Sequence, residues 1–336
     1  MEFNSYNQDS SNAIRAVNLT KIYHGNIRAV DGINFSVHQG EIFGLLGPNG
    51  AGKTTVIKMI LSLTPITSGS LRVFGIDVAN SAEEARGMLG YVPQSISVDT
   101  DLSAYENLLI FSKLSYVGKK ERDERIMSAL EYMGLSGRAK DLVKHFSGGM
   151  MRRLEIAQGL VNKPKILLLD EPTIGLDPES RRHVWESIKQ LKREGTTIVL
   201  TTHDMHEADE LSDRIAIMSA GKIAVLGSPS ELKKTVGGDI VTANLSSPHQ
   251  ITQFPSEIGN IVHSDEKSIQ ILTTNGEHAI LLIADFFRSH NIKADSIRVN
   301  RPNLDDVFMK YAKARLTDEA HGDAGRSRRD LVRHAR

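Results

Sequence analysis

Gly47-Pro48-Asn49-Gly50-Ala51-Gly52-Lys53-Thr54-Thr55 is the stretch on which the reading of this chain turns. It fits the pattern G-x-x-x-x-G-K-[ST], with Gly47 and Gly52 bracketing a loop and Lys53-Thr54 opening a helix. The run before it, Glu41-Ile42-Phe43-Gly44-Leu45-Leu46, is short and apolar, as a buried strand would be. In the run after it, Val56, Ile57, Ile60 and Leu61 fall on one helical stripe. A glycine loop held between strand and helix turns backbone N–H groups inward. The helix N-terminus adds partial positive charge at the same place, so the stretch predicts a nucleotide-phosphate site. In such a site Lys53 reaches the β- and γ-phosphates and the Thr54 hydroxyl ligates Mg²⁺.

Composition sets the outer limits. With 336 residues the chain has room for a full core and two domains. The 41 basic and 41 acidic residues balance, so no global charge points to a nucleic-acid partner. The lack of cysteine excludes disulfides, thiolate zinc sites and a cysteine nucleophile together, and suits a reducing cytosol. Residues 1–12 are polar, without the basic and apolar blocks of a signal peptide, and read as a disordered tail. The longest apolar run, Ala279 to Ala284, is far short of the ~20 residues of a spanning helix. The chain is therefore expected not to cross a membrane by itself.

From Ile14 to Val37 the pattern is strand-like, and Tyr23 ends the first strand. An exposed tyrosine and a ring offered to an adenine are equally good readings of that residue. Ser70 to Phe74 and Leu89 to Pro93 read as further strands, the latter ending at Gln94. Residues 95–163 then turn helical, with Ser103 and Glu106 spaced as a capping box ahead of Leu108, Leu109, Phe111 and Leu114. A helical insertion between strands of an α/β core suggests a separate subdomain. It closes on Phe146-Ser147-Gly148-Gly149-Met150, where a hydroxyl and free N–H groups meet a helix start.

Ile166-Leu167-Leu168-Leu169-Asp170-Glu171 reads as a buried strand ending in two carboxylates. Ligands of a parallel sheet sit beyond such ends, so Asp170 is placed to hold the Mg²⁺ that Thr54 ligates and Glu171 to face a water. Asp177-Pro178 opens a helix whose stripe is Val184, Ile188 and Leu191 and whose stop is Gly195. Thr196 to Thr202 is the next strand, with His203 at its carboxyl end. The string His203-Asp204-Met205-His206-Glu207 also has the spacing of metal ligands. His203 leaves its strand in the direction of Asp170, however, which favours a phosphate-facing role. Arg214 to Gly227 reads as a hairpin turning at Ala220-Gly221. Beyond Gly238 the pattern resets into a small α+β domain, 239–314. Its strands are expected at Ile240–Leu245, Ile269–Thr273 and Ile292–Val299, and its helices at 279–290 and 304–314. Residues 315–336 read as a charged tail, its last eleven residues holding five arginines, which suits solvent or anionic lipid headgroups.

Taken in order, these pieces resemble the ATP-binding subunit of ABC (ATP-binding cassette) transporters over residues 14 to about 236. The elements that carry the likeness are Tyr23, the P-loop 47–54, the Q-loop Gln94, the signature Ser147-Gly148-Gly149, the Walker B pair Asp170-Glu171 with Gly175-Leu176-Asp177, and the switch His203. The signature has Met150 where the commonest family version has glutamine. Ser-Gly-Gly-Met followed by basic residues, with the ending Pro302-Asn303-Leu304-Asp305-Asp306-Val307-Phe308, resembles the drug-resistance exporter branch typified by daunorubicin-resistance ATPases.

The resemblance implies an α/β P-loop NTPase cassette over 13–238. Such a cassette has a RecA-like core, an antiparallel β subdomain and the helical subdomain 95–163, and here the small C-terminal domain follows it. It implies ATP and Mg²⁺ as ligands, with Tyr23, the loop through Thr55 and Ser147 to Gly149 on the nucleotide. Thr54, Gln94 and Asp170 fall at the metal, and Glu171, Gln94 and His203 in catalysis. It implies a homodimer that sandwiches ATP between the P-loop of one subunit and the signature of the other. The dimer would drive a separate membrane permease from the cytoplasmic face of the cell membrane. The rival from another class is a soluble ATPase of the same type acting on ribosomes or DNA. Those usually carry two cassettes or a long coiled coil, and this chain has one P-loop and no sustained heptads.

Overall fold

The computed structural model describes residues 12–247, 255, 257–265 and 267–311. Most of the two tails expected at 1–12 and 315–336, and residues 312–314 of the last helix, lie outside them. The chain divides into two compact units, the first ending at Ser228 and the second beginning at Pro229.

The first unit opens with β1 (Asn12–Tyr23) and β2 (Ile27–His38), an antiparallel pair. β3 (Ile42–Leu46) and α1 (Lys53–Ile60) flank the glycine loop as expected. β4 (Ser68–Val73) and β5 (Ile76–Asp77) join the first pair in an antiparallel sheet of order β2-β1-β4-β5. The short helix α2 (Ala82–Arg86) precedes β6 (Leu89–Val92), and α3 (Ala104–Leu114), α4 (Lys119–Tyr132) and α5 (Gly148–Leu160) make the helical insertion. β7 (Ile166–Asp170), α6 (Pro178–Arg193), β8 (Thr197–Thr202) and α7 (Met205–Leu211) then alternate. The hairpin of β9 (Arg214–Ser219) and β10 (Lys222–Gly227) ends the unit. The second sheet has the order β10-β9-β3-β8-β7-β6, parallel except for β10 on its edge.

The unbroken apolar runs follow from burial on both sides of that parallel sheet. Leu167 and Leu169 of β7, with Ile198 and Leu200 of β8, face a core shared with α3 to α6. Ile166, Leu168 and Val199 face the opposite core, which holds Phe43, Leu45, the α1 residues Val56 and Ile57, and the antiparallel sheet. Successive strand side chains point to opposite faces, so a strand covered on both sides must be apolar at every position.

Local signals sit where the sequence places them. Ser103 and Glu106 form both bonds of the capping box on α3. Asp177 caps α6 by accepting from Glu179 N and Ser180 N, with Pro178 at the first helical position. Ala220 and Gly221 both take positive φ, 48° and 76°, the twist a tight hairpin needs. Leu114 departs from the expected stripe of α3. It is 71% exposed, because its side chain comes off the last turn while Leu108 takes the core position.

The second unit begins with α8 (Pro229–Val236) and builds a four-stranded antiparallel sheet from β11 (Asp239–Leu245), β12 (Asn260–Ser264), β13 (Ser268–Thr273) and β14 (Ala294–Asn300). Its order is β12-β13-β11-β14. The helix α9 (Gly276–Ser289) lays Ala279, Ile283 and Phe287 on Val241, Ala243, Ile269 and Ile271, giving this unit a core of its own. Residues 304–311 are helical, with Leu304 and Val307 buried.

Candidate nucleotide site

Register decides what meets at the carboxyl edge of the parallel sheet. Leu46 of β3 pairs with Thr202 of β8, and Thr201 pairs with Asp170 of β7. The glycine loop, His203 and the Asp170-Glu171 pair therefore leave three adjacent strands side by side, as expected of ligand sites in such sheets.

The loop is held by close backbone approach. Gly47 N donates to Thr202 O at 3.2 Å, and a Cβ on Gly47 would stand 2.3 Å from Met218 O. Gly52, the N-cap of α1, has φ 104°, and a Cβ there would stand 2.3 Å from Ala29 O. Neither position tolerates a side chain. α1 has no side-chain cap and no acidic residue in its first turn, so its leading N–H groups remain available to an anion.

Around this loop Lys53, Asp170 and Glu171 are buried, and His203 is exposed beside them. Lys53 is 5% exposed; its Nζ donates to Gly47 O at 2.7 Å and lies 3.2 Å from Glu171 Oε1. The other Glu171 oxygen lies 2.6 Å from His203 Nδ1. Thr54 Oγ1 donates to Asp170 Oδ1 at 3.2 Å, and the Thr201 hydroxyl donates to the same oxygen while accepting from Glu171 N. Glu171 has φ 52°, a left-handed conformation that a non-glycine residue keeps only where its surroundings fix it. Asp170 and Glu171 thus point apart, one toward Thr54 and the other between Lys53 and His203.

The donor set fits Mg²⁺. Thr54 Oγ1 and Asp170 Oδ1 are adjacent hard oxygens, and Mg²⁺ characteristically takes one or two carboxylates beside phosphate and water. The metal spacing of the string 203–207 is not used this way. Asp204 caps α7 and pairs with Arg181 at 2.7 Å, and Glu207 is buried against Thr173 and Trp185.

Other expected residues stand apart from this cluster. Tyr23 is half-exposed at the end of β1, with Lys21 Nζ 4.9 Å from its ring centroid. Gln94 is exposed two residues past β6, the strand beside β7. Ser147 is exposed at the N-cap of α5 and its hydroxyl accepts from Met150 N at 3.3 Å. Gly148 is exposed and Gly149 is buried against Ser180. Among the described residues no hydrogen bond joins Ser147 to the Lys53–Glu171 cluster.

Sequence reasoning passed over two residues that shape the cluster. Thr201 looks like an ordinary β-branched strand residue. Arg152 looks like half of an i,i+3 surface pair with Glu155, yet it is 5% exposed and bonds the carbonyls of Asp170, Glu171 and Pro172. The only local hint is the apolar company of Leu154, Ile156 and Ala157.

Known proteins resemble this chain in sequence and in fold. Residues 30–174 match a family model described as ABC transporter, and residues 146–209 match one described as an AAA domain, putative AbiEii toxin, Type IV TA system. The chain is 38% identical over 311 residues to the linearmycin resistance ATP-binding protein LnrL of Bacillus subtilis (strain 168), covering 91% of this chain and 100% of the relative. It is 36% identical over 324 residues to the daunorubicin/doxorubicin resistance ATP-binding protein DrrA of Streptomyces peucetius, covering 94% and 98%. A solved dimeric ATP-binding cassette, in a post-hydrolysis state with ADP and phosphate, superimposes with a TM-score of 0.58 at 28% identity, covering 64% of this chain and 98% of its own.

Proposed function

The chain belongs to the ABC transporter family as an ATP-binding cassette with ATPase activity, and on that premise we propose how its residues divide the work. It is the ATP-binding and hydrolysing subunit that powers a separate membrane permease, and the resistance relatives support export as the direction. The observation that carries the catalytic assignment is Glu171, whose carboxylate spans Lys53 Nζ and His203 Nδ1 one residue after Asp170.

In this reading the loop amides from Gly47 to Thr55 and the Lys53 ammonium hold the phosphates. Tyr23 offers the face of its ring that Lys21 leaves free to the adenine. Thr54 and Asp170 hold Mg²⁺, with Gln94 arriving from the neighbouring strand end. Bound there, Mg²⁺ neutralises charge that develops on the transferred phosphoryl group. Glu171 accepts a hydrogen bond from the attacking water and His203 fixes the carboxylate's orientation. Among the described residues no bond joins Ser147, Gly148 or Gly149 to Lys53, which supports their service to a second copy in an ATP-closed homodimer. Among the described residues no helix is long and apolar enough to cross a membrane. By likeness to the ATP-binding proteins it resembles, we place the subunit on the inner face of the cell membrane, where it works through its permease.

Glu171→Gln tests the assignment. Hydrolysis should fall by about 10²–10⁴ while ATP binding persists, because Asp170 still serves the metal and only the carboxylate that orients water is lost. The variant should accumulate an ATP-bound dimer on gel filtration. Wild-type turnover in this variant would remove Glu171 from its role.

A further inference from the structure

Arg152 of α5 and Glu155 one turn later are 5% and 1% exposed. A guanidinium has five N–H donors in a planar fork, and here every one has an acceptor. Nε donates to Pro172 O at 2.7 Å. Nη1 donates to Pro93 O at 2.6 Å and to Glu155 Oε2 at 2.9 Å, and Nη2 to Asp170 O at 3.0 Å and Glu171 O at 3.1 Å. The second Glu155 oxygen accepts from Ser97 N at 2.5 Å and Ser97 Oγ at 3.1 Å.

The carbonyls chosen are informative. Three are consecutive and include that of Glu171, whose φ of 52° needs external support. The fourth, Pro93 O, immediately precedes Gln94, and Ser97 follows it by three residues. The side chain making these bonds sits five residues into the helix segment that Ser147 begins. One ion pair thus joins the signature helix, the Gln94 segment and the peptide units that aim Glu171.

We propose that Arg152, oriented by Glu155, is a positioning residue for hydrolysis. It sets the backbone of Asp170-Glu171 and of the Gln94 segment according to where α5 stands. The proposal rests on the shared-site reading above, in which Ser147 serves the partner's nucleotide. On that reading Arg152 carries the state of the site that Ser147 touches to the site that uses Glu171. A buried ion pair need not add stability, so its burial alone does not explain why five donors converge on these carbonyls.

Arg152→Lys keeps the charge but has three donors on a single nitrogen and cannot hold four carbonyls and a carboxylate at once. Its kcat should fall about tenfold or more while its KM and its Kd for ATP stay within about twofold, the split expected when a water-orienting group is misaligned and ground-state binding is spared. Thermal unfolding is followed alongside, since a pair that merely staples the core would lower Tm and leave kcat alone. That result, or wild-type kcat in a folded variant, overturns the proposal. If Arg152→Lys does not fold, Arg152→Met/Glu155→Leu removes both charges together and takes the same readout. Wild-type kcat there, or failure of both variants to fold, assigns the pair to the core and overturns the proposal too. A Glu171→Gln control separates the two layers. If it forms no ATP-bound dimer, the shared-site reading fails and the cross-site role of Arg152 fails with it. If it dimerises with and without Arg152→Lys, and Arg152→Lys alone turns over normally, only the present proposal is lost.

Discussion

In the central sheet of the first unit β9, β3, β8, β7 and β6 run parallel, so their carboxyl ends fall along one edge. In the sheet of the second unit every pairing is antiparallel, and neighbouring strands end at opposite edges. Both sheets bury apolar side chains under helices, yet the buried polar groups are distributed very differently. Lys53, Arg152, Glu155, Asp170, Glu171, Thr201 and Glu207 are all buried in the first unit, whereas in the second only Thr273 is polar among the described buried residues. A buried charge is tolerated where partners from several strands converge on it, and the parallel edge supplies that convergence. The antiparallel sheet of the second unit has no such edge.

The largest expected effect strikes the edge itself. Gly47→Ala drives a Cβ into Met218 O, 2.3 Å away, and neither atom belongs to a flexible side chain. The loop must shift, and kcat/KM for ATP should fall by about a thousandfold, comparable to losing preorganised donors and near-attack alignment together. Hydrolysis at the parental rate would mean that the chemistry does not use this loop.

A smaller effect should stay within the second unit. We propose that this unit folds on its own core and is dispensable for hydrolysis. Ile283 is fully buried among β11, β13 and α9, so Ile283→Ala should cost that unit about 3 kcal/mol, read from its denaturant transition. The kcat of the folded protein should stay within about twofold, as for sites with no shared partners. A chain ended at Gly238 should likewise keep its ATPase activity. Loss of nucleotide binding in either protein would break the comparison, because the second unit would then be part of the catalytic fold.

How much of this was legible depended on whether the signal was local. The loop 47–55, the carboxylates Asp170-Glu171, the caps Ser103 and Asp177 and the turn Ala220-Gly221 are each written in a few consecutive residues, and each was readable. Arg152 was not, because its acceptors come from residues 93 and 170–172 and its own neighbourhood reads as a charged helix face. The left-handed φ of Glu171 is set by Thr201 and Arg152, and no residue near Glu171 announces it. β12 escaped notice because it is an edge strand with mostly exposed side chains and lacks the alternation that marks half-buried strands. α2 and α8 are short and polar, and tertiary packing rather than periodicity holds them.

The smallest expected effect asks whether every buried carboxylate on the parallel side is there for chemistry. Glu207 of α7 is 1% exposed, and its Oε1 accepts from Thr173 Oγ1 at 2.6 Å and Trp185 Nε1 at 3.1 Å. Burial pushes its pKa above the ordinary carboxylate value, and the donors Thr173, Thr202 and Trp185 only partly offset this. The folded state therefore favours the protonated form. Its contribution to stability is fully present below the unfolded pKa and is lost as pH rises through the raised folded pKa. Glu207→Gln keeps an oxygen that accepts from both donors and carries no charge at any pH. The stability profiles of the two proteins should coincide at the acid end and separate as pH rises, with the variant the more stable, in urea titrations repeated at each pH. Its kcat should not change, because Glu207 touches Thr173 and Trp185 rather than Lys53, Thr54 or His203. A fall in kcat without a change in stability would place Glu207 with Glu171 among the residues that act. Glu207 would then join Asp170 and Glu171 among the carboxylates proposed to act at the parallel edge, whereas its bonds to Thr173 and Trp185 give it a supporting place behind them.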